Sequence, residues 1–247
     1  MNIIDKFSNK TLFGKIIRIP LKFIPSNIII PIIFGKLKGK KWIKGSGVNS
    51  YWIGFYELQK QKKVIEIVKK NDICYDVGAN VGFYTLLFSE IVQDGGLVIA
   101  FEPSPNNINY LKKCQKINNL TNVKVIEAAV ADMSGECFFD LSLNSSVGRI
   151  SDNGKLKVKS ISLDDFIANG ANPPNIIKID VEGAELKVLR GSTKLLQKYH
   201  PKIFLATHNS NINKDCIEFL QNKGYKIISL IKNKHIYESD ELFAFYN

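Results

Sequence analysis

Asp76-Val77-Gly78-Ala79-Asn80-Val81-Gly82-Phe83-Tyr84-Thr85 ends an apolar, strand-like run that begins at Ile73 and opens a helix-like one. Glu102 stands at the end of the next apolar run, 97–101, twenty residues past Gly82. Glycines in such a turn let the backbone pass close to a bulky ligand, and an acid at the tip of the second strand can accept hydrogen bonds from both hydroxyls of a ribose. The layout is that of a site for an adenosine-containing cofactor.

A dinucleotide fold would show Gly-x-Gly-x-x-Gly, whose second glycine admits a pyrophosphate to a helix N-terminus. Here the spacing is Gly78-x-x-x-Gly82, and the Asp76 carboxylate would repel a pyrophosphate. It would suit an ammonium group, and S-adenosylmethionine carries an ammonium, a sulfonium and no phosphate. The cofactor residues expected on this reading are Asp76 and Gly78 at the methionine end, Asn80, Gly82, Tyr84 and Thr85 along the turn, and Glu102 on the ribose. Ala128 and Ala129, ending the third strand, are placed against the adenine edge, with Asp132 or Glu127 near its amino group.

At 247 residues and 45% apolar content the chain can bury one substantial core. The expected organisation is an extension over residues 1–50 and one domain over residues 51–247. Cys74, Cys114, Cys137 and Cys216 lie far apart with no CxxC spacing and read as reduced thiols of a cytoplasmic protein. Neither they nor the three histidines have zinc-ligand spacing, and no cleavable signal peptide is expected.

The net charge of +11 is unevenly spread. Residues 1–50 hold ten Lys or Arg against the single acid Asp5, whereas the remainder holds 24 basic and 22 acidic residues. A nearly neutral body does not suggest a basic groove for nucleic acid. The extension interleaves its charge with apolar residues, as in Ile16-Ile17-Arg18-Ile19-Pro20-Leu21-Lys22-Phe23-Ile24-Pro25. Arg18, Lys22, Pro20, Pro25 and Pro31 interrupt it well short of the ~20 apolar residues a spanning helix needs. Residues 1–45 therefore read either as a peripheral membrane-surface segment, with lysines on anionic head groups, or as an arm docked on the body or on another subunit.

Residues 35–49 read as a linker or turn region, and the body begins near Tyr51 with a helical pattern through Val64, Ile65, Ile67 and Val68. Strands are expected at 73–77, 97–101, 123–128, 176–179, 203–206, 225–230 and 241–246, with helices at 82–92, 105–118, 163–168, 184–198 and 214–224. Residues 134–160 break the rhythm with two short strands, an excursion or an antiparallel hairpin. Apolar runs alternating with helical patterns indicate parallel strands covered on both faces. The expected fold is α/β: the Rossmann-like, seven-stranded, mostly parallel sheet of a class I methyltransferase, with an antiparallel last strand, helices on both faces and an N-terminal extension. Ligands in such sheets bind beyond the carboxyl ends of the strands, where Asp76, Glu102, Asp180 and Thr207 would emerge.

The sequence resembles the FkbM family of S-adenosylmethionine-dependent methyltransferases over about residues 50–210. The resemblance rests on Asp76-Val77-Gly78-Ala79-Asn80-x-Gly82-x-Tyr84-Thr85, on Phe101-Glu102-Pro103-x-Pro105, on Ser162-Leu163-Asp164, and above all on Ile177-Lys178-Ile179-Asp180-Val181-Glu182-Gly183-Ala184-Glu185-x-x-Val188-Leu189-Arg190-Gly191. It implies methyl transfer to a hydroxyl, often that of a sugar in a glycan or of a secondary metabolite. Family members frequently carry an acidic residue before the histidine of the fifth strand, where this chain has Thr207-His208.

A hydroxyl that attacks a sulfonium methyl must shed its proton, so a sugar acceptor calls for a base or a cation. Asp180, at the tip of the fourth strand and facing the methyl, Glu182 two residues on, and His208 are the expected catalytic residues. In one mechanism Asp180 or His208 is the general base. In the other, Asp180, Glu182 and Asn209 or His208 hold a divalent cation such as Mg²⁺. The metal-free version is preferred. The competing functions are a methyltransferase for nucleic acid or protein and a non-catalytic binding protein. Asn172-Pro173-Pro174-Asn175 superficially matches a base-stacking loop but lacks its aromatic residue and precedes a strand.

Overall fold

The computed structural model describes residues 25–141, 148–150 and 154–246. The stretch Ile16–Ile24 of the basic, apolar extension lies outside the described residues. The described chain enters through a hairpin, β1 (Ile29–Pro31) antiparallel to β2 (Lys41–Ile43), then two helices, α1 (Ser50–Ile53) and α2 (Leu58–Ile67). Next come β3 (Ile73–Val77), α3 (Phe83–Val92), β4 (Leu97–Phe101), α4 (Pro105–Ile117) and β5 (Val123–Ile126). Four short strands follow: β6 (Ala129–Val130), β7 (Gly135–Leu141), β8 (Gly148–Ile150) and β9 (Leu156–Ile161). The rhythm resumes with α5 (Leu163–Ala168), β10 (Ile176–Ile179), α6 (Glu185–Arg190), α7 (Thr193–Tyr199), β11 (Lys202–Ala206), α8 (Ser210–Asn222), β12 (Lys226–Ser229) and β13 (Glu241–Phe245).

The main sheet has the order β12-β13-β11-β10-β3-β4-β5, with β13 alone running antiparallel to its neighbours. This is the class I methyltransferase sheet. Its strands are buried on both faces, and the two-residue period divides them. Cys74, Val98, Val123, Ile176, Phe204 and Phe243 face one core with α2, α3 and Trp42 of the hairpin. Tyr75, Ile99, Ile177, Ile203 and Leu242 face the other, with Val188, Leu195, Ile217 and their neighbours on α6, α7 and α8.

Strand order reverses between β3 and β10, which is where ligands of open parallel sheets bind. Gly78 sits at that reversal with φ +74°, and a Cβ there would lie 1.9 Å from the Asp180 carbonyl oxygen. Only a glycine lets the two strand tips meet so closely.

Three local readings are corrected. Residues 35–49 are not merely a linker, because they contain β2, whose Trp42 is buried in the same core as α3. The third strand ends at Ile126, and Ala129–Val130 leaves the main sheet to join a four-stranded one of order β6-β9-β7-β8. The helix expected over 184–198 is two helices, α6 and α7. They part at Gly191, where a Cβ would lie 2.1 Å from the Ala131 carbonyl oxygen, a long-range approach that local periodicity does not register. Among the described residues no helix is long and apolar enough to cross a membrane.

Candidate active site

A cavity of about 400 Å³ opens at the carboxyl ends of β3, β4, β10 and β11. The loop around Tyr51, Tyr56 and Glu57 closes one side of it, and Phe139, Gly148 and Ile150 of the small sheet close another.

One half is organised by the β3–α3 turn and the tip of β4. Glu102, 4% exposed, accepts hydrogen bonds from the Asn80 backbone N–H (2.8 Å), the Ser104 N–H (3.0 Å) and the Asn107 Nδ2 (3.2 Å). Burial pushes its carboxyl above the ordinary range, while those three donors and Lys178 pull the other way. Asn80 reaches this position through a left-handed backbone, φ +51°, a conformation that asparagine tolerates better than most residues. Gly78, Ala79, Ala128 and Ala129 complete this wall with small side chains.

The other half gathers charge. Asp180 directly follows β10, and Glu182 comes next in a tight turn with φ +54°. His208 lies just past β11, its Nδ1 2.7 Å from Oε1 of the fully buried Glu185 and its Nε2 3.2 Å from Glu182 Oε2 and 3.5 Å from Asp180 Oδ1. The Glu185 hydrogen bond, aided by the charges of Asp180 and Glu182 and opposed by partial burial, raises His208 to about 9. At neutral pH it is therefore an imidazolium. Burial works to raise Asp180, but Lys178, Lys60 and His208 outweigh it and hold the carboxyl below its usual value. Glu182 moves up, chiefly through burial.

Two buried lysines support this half from beneath. Lys178 lies in register with Asp76 on the adjacent parallel strand; its Nζ is 3.2 Å from Asp76 Oδ1, 3.8 Å from Asp180 Oδ2, and donates to the Gly78 carbonyl at 2.8 Å. Lys60, on α2, pairs with Glu57 at 2.8 Å and with Glu241 at 2.6 Å. Burial, against the pull of Lys60, pushes Glu241 up to about 7. The Tyr84 hydroxyl donates to Glu57 at 2.8 Å and is thereby held at the cavity wall.

Of the residues expected from sequence, Gly78, Asn80, Tyr84, Glu102, Ala129, Asp180, Glu182 and His208 line the cavity. Asp76, Gly82 and Thr85 do not. Asp76 shares the strand face of Cys74, which points it under α3, where the Thr85 hydroxyl donates to it at 2.6 Å and Lys178 pairs with it. In this structure those two contacts tie it to α3 and β10. Gly82, at φ +96°, makes room for Leu111: a Cβ would lie 2.6 Å from that side chain. Glu127 pairs with Lys112 outside the cavity, and Asp132 does not line it either. Sequence reasoning assigned no role to Lys178, Lys60, Glu57, Glu185 or Glu241. One available signal was Lys178, a cation in the apolar run Ile176-Ile177-Lys178-Ile179 at the place Asp76 holds in Ile73-Cys74-Tyr75-Asp76-Val77.

Asp180, Glu182 and His208 present ligand-type atoms within 4.8 Å of one another and could meet on a divalent cation. One imidazole and two carboxylates suit Mn²⁺, Fe²⁺ or Zn²⁺ better than the all-oxygen preference of Mg²⁺. His208 would have to give up the Nε2 proton that now faces both carboxylates.

Residues 76–227 match the Methyltransferase FkbM domain. The chain is 32% identical over 137 residues to the hexuronic acid methyltransferase AglP of Haloferax volcanii, an alignment covering 54% of this chain and 55% of that protein. It is 24% identical over 176 residues to Methyltransferase 1 of Beauveria bassiana, covering 55% and 70%. The chain thus spans about half the length of the Haloferax relative. Among solved structures, the FkbM methyltransferase of Methylobacillus flagellatus aligns with a TM-score of 0.54 at 19% identity, over 71% of this chain and 44% of that one. An S-adenosylmethionine-dependent O-methyltransferase of Thermotoga maritima aligns at 0.51 and 11% identity, over 90% and 78%. These two likenesses concern the fold. The domain match covers more than half of the sequence, and on it the chain belongs to the FkbM methyltransferase family.

Proposed function

We propose that this chain transfers the methyl group of S-adenosylmethionine to a hydroxyl of a sugar-type acceptor, with His208 taking the acceptor proton. The observation that carries the reading is that Glu102, a carboxylate already oriented by three N–H donors, and His208, an imidazole oriented by a buried carboxylate, line the same cavity. The donor half fits an adenosine group: a buried acid for ribose hydroxyls and small side chains at Ala79, Ala128 and Ala129. The printed name of the Haloferax relative supports a sugar acceptor.

S-adenosylmethionine, when bound, would supply an electrophilic methyl carbon, open to attack by an acceptor oxygen in line with the departing thioether. The oxygen–methyl bond forms as the methyl–sulfur bond breaks, and the hydroxyl proton passes to His208 Nε2. Glu185 holds the ring through Nδ1, so that Nε2 alone faces the cavity acids. Asp180, kept ionised, is the counter-charge for the imidazolium that results. Because His208 rests in its protonated form, turnover waits on its deprotonation and rises with pH toward about 9. The reading routes no step through a divalent cation, since Lys178 and Lys60 already hold Asp180 ionised while His208 is the proton acceptor.

The test is a methyl-transfer assay with S-adenosylmethionine and a panel of uronic-acid and neutral oligosaccharides, read by S-adenosylhomocysteine release and by the mass of the sugar product. Release that depends on a sugar hydroxyl, and is lost in His208→Ala, is expected. Cofactor binding without transfer to any hydroxyl contradicts the proposal.

A further inference from the structure

The β1–β2 hairpin has an unusual outward face. Its inner face gives Ile30, Ile32 and Trp42 to the core, and the two-residue period sends Ile29, Pro31 and Ile33 outward. All three are exposed, Ile29 at 55%. Just beyond the strand, Phe34, 49% exposed, stacks on exposed Phe55 with ring centroids 5.1 Å apart. The solvent side of an antiparallel pair ordinarily carries polar residues. Single exposed apolar residues are commonplace, whereas a joined apolar face marks an interaction site.

The charge beside this face has one sign. Lys41 stands opposite Pro31 in register, and Lys36 and Lys38 occupy the turn between the strands, all exposed. No Asp or Glu occurs between residues 25 and 56, and residues 6–24 continue the same mixture of lysine or arginine with isoleucine. A second copy of this chain would bring lysine against lysine, so self-association is a poor occupant. Apolar groups for the acyl boundary ringed by lysines for head groups are the pattern of a surface-bound, non-spanning segment. We propose that the outward face of the β1–β2 hairpin docks on an anionic lipid surface. The inference is independent of the acceptor and of the chemistry in the cavity.

The test is flotation of the full chain with phosphatidylcholine vesicles and with vesicles that also contain phosphatidylglycerol. The chain is expected to float with the anionic vesicles only, and less in high salt. Ile29→Ser/Phe34→Ser and Lys36→Glu/Lys38→Glu are each expected to weaken binding at least about tenfold. Melting curves of both variants separate lost docking from lost folding, since only a loss of binding in a variant that stays folded counts, and the lysine pair, fully on the exposed turn, touches no packed ring. A wild-type chain that stays at the bottom of the gradient overturns the proposal. So do variants that float like wild type, or a dimer in light scattering that Ile29→Ser/Phe34→Ser dissociates.

Discussion

Oε1 of Glu185, a carboxylate with no exposed surface, lies 2.7 Å from Nδ1 of His208 and also accepts the Gly183 backbone N–H at 2.9 Å. The glutamate, on α6, thus joins the turn after β10 to the end of β11, and its hydrogen bond is the first cause of the raised His208. In Glu185→Gln the rising limb of the pH–rate profile should move from about 9 toward the ordinary imidazole value of ~6.5. The plateau should fall, because the ring loses its orientation, while the Kd for S-adenosylmethionine stays the same. Stopped assays across pH, paired with calorimetry, check this.

The same pair sets a stability trend. His208 is raised in the folded state, so its contribution is fully present below the unfolded pKa of ~6.5 and is lost as pH rises through about 9. Urea midpoints should decline over that window in the wild-type chain. They should be flatter there in Glu185→Gln.

Glu102→Ala should weaken S-adenosylmethionine binding at least tenfold, since charge-assisted hydrogen bonds to the ribose, worth about 1.5–3 kcal/mol, would be lost. Glu102 also organises Asn80, Ser104 and Asn107, so a melting curve should accompany the titration. A Kd within twofold of wild type argues against a ribose role.

Lys178 is flanked by Asp76 and Asp180 with almost no exposed surface. Lys178→Met leaves those carboxylates buried without their cation, and a loss of about 3–5 kcal/mol in urea unfolding is expected. Lys178→Met combined with Asp76→Asn should cost less than the sum of the two single changes, because they share one interaction.

Methyl transfer should survive dialysis against EDTA, given that Lys178 and Lys60 hold Asp180 ionised without a metal. Activity that EDTA abolishes and Mn²⁺ restores would instead assign Asp180, Glu182 and His208 to a cation.

The sheet was legible because its central strands, such as Ile73–Val77, Leu97–Phe101 and Ile176–Ile179, are mostly apolar runs, and the position of Glu102 was legible because it follows such a run directly. The side on which Asp76 lies was not legible, because a strand tip has two faces. Being third in line after Cys74 and Tyr75 places it under α3, a distinction that depends on the packing of Thr85 and Lys178. Glu57 and Glu241, both paired with Lys60, reach the cavity from opposite ends of the domain, the start of α2 and β13, and only the antiparallel last strand brings Glu241 to the ligand edge. No local pattern encodes that meeting.

The most direct measurement is the position of S-adenosylhomocysteine in a crystal of this protein. The account predicts its ribose hydroxyls on Glu102, its adenine beside Ala128 and Ala129, and its sulfur in the half of the cavity walled by Asp180 and His208. A ligand bound elsewhere, or a Glu102 that faces no part of it, would contradict the account.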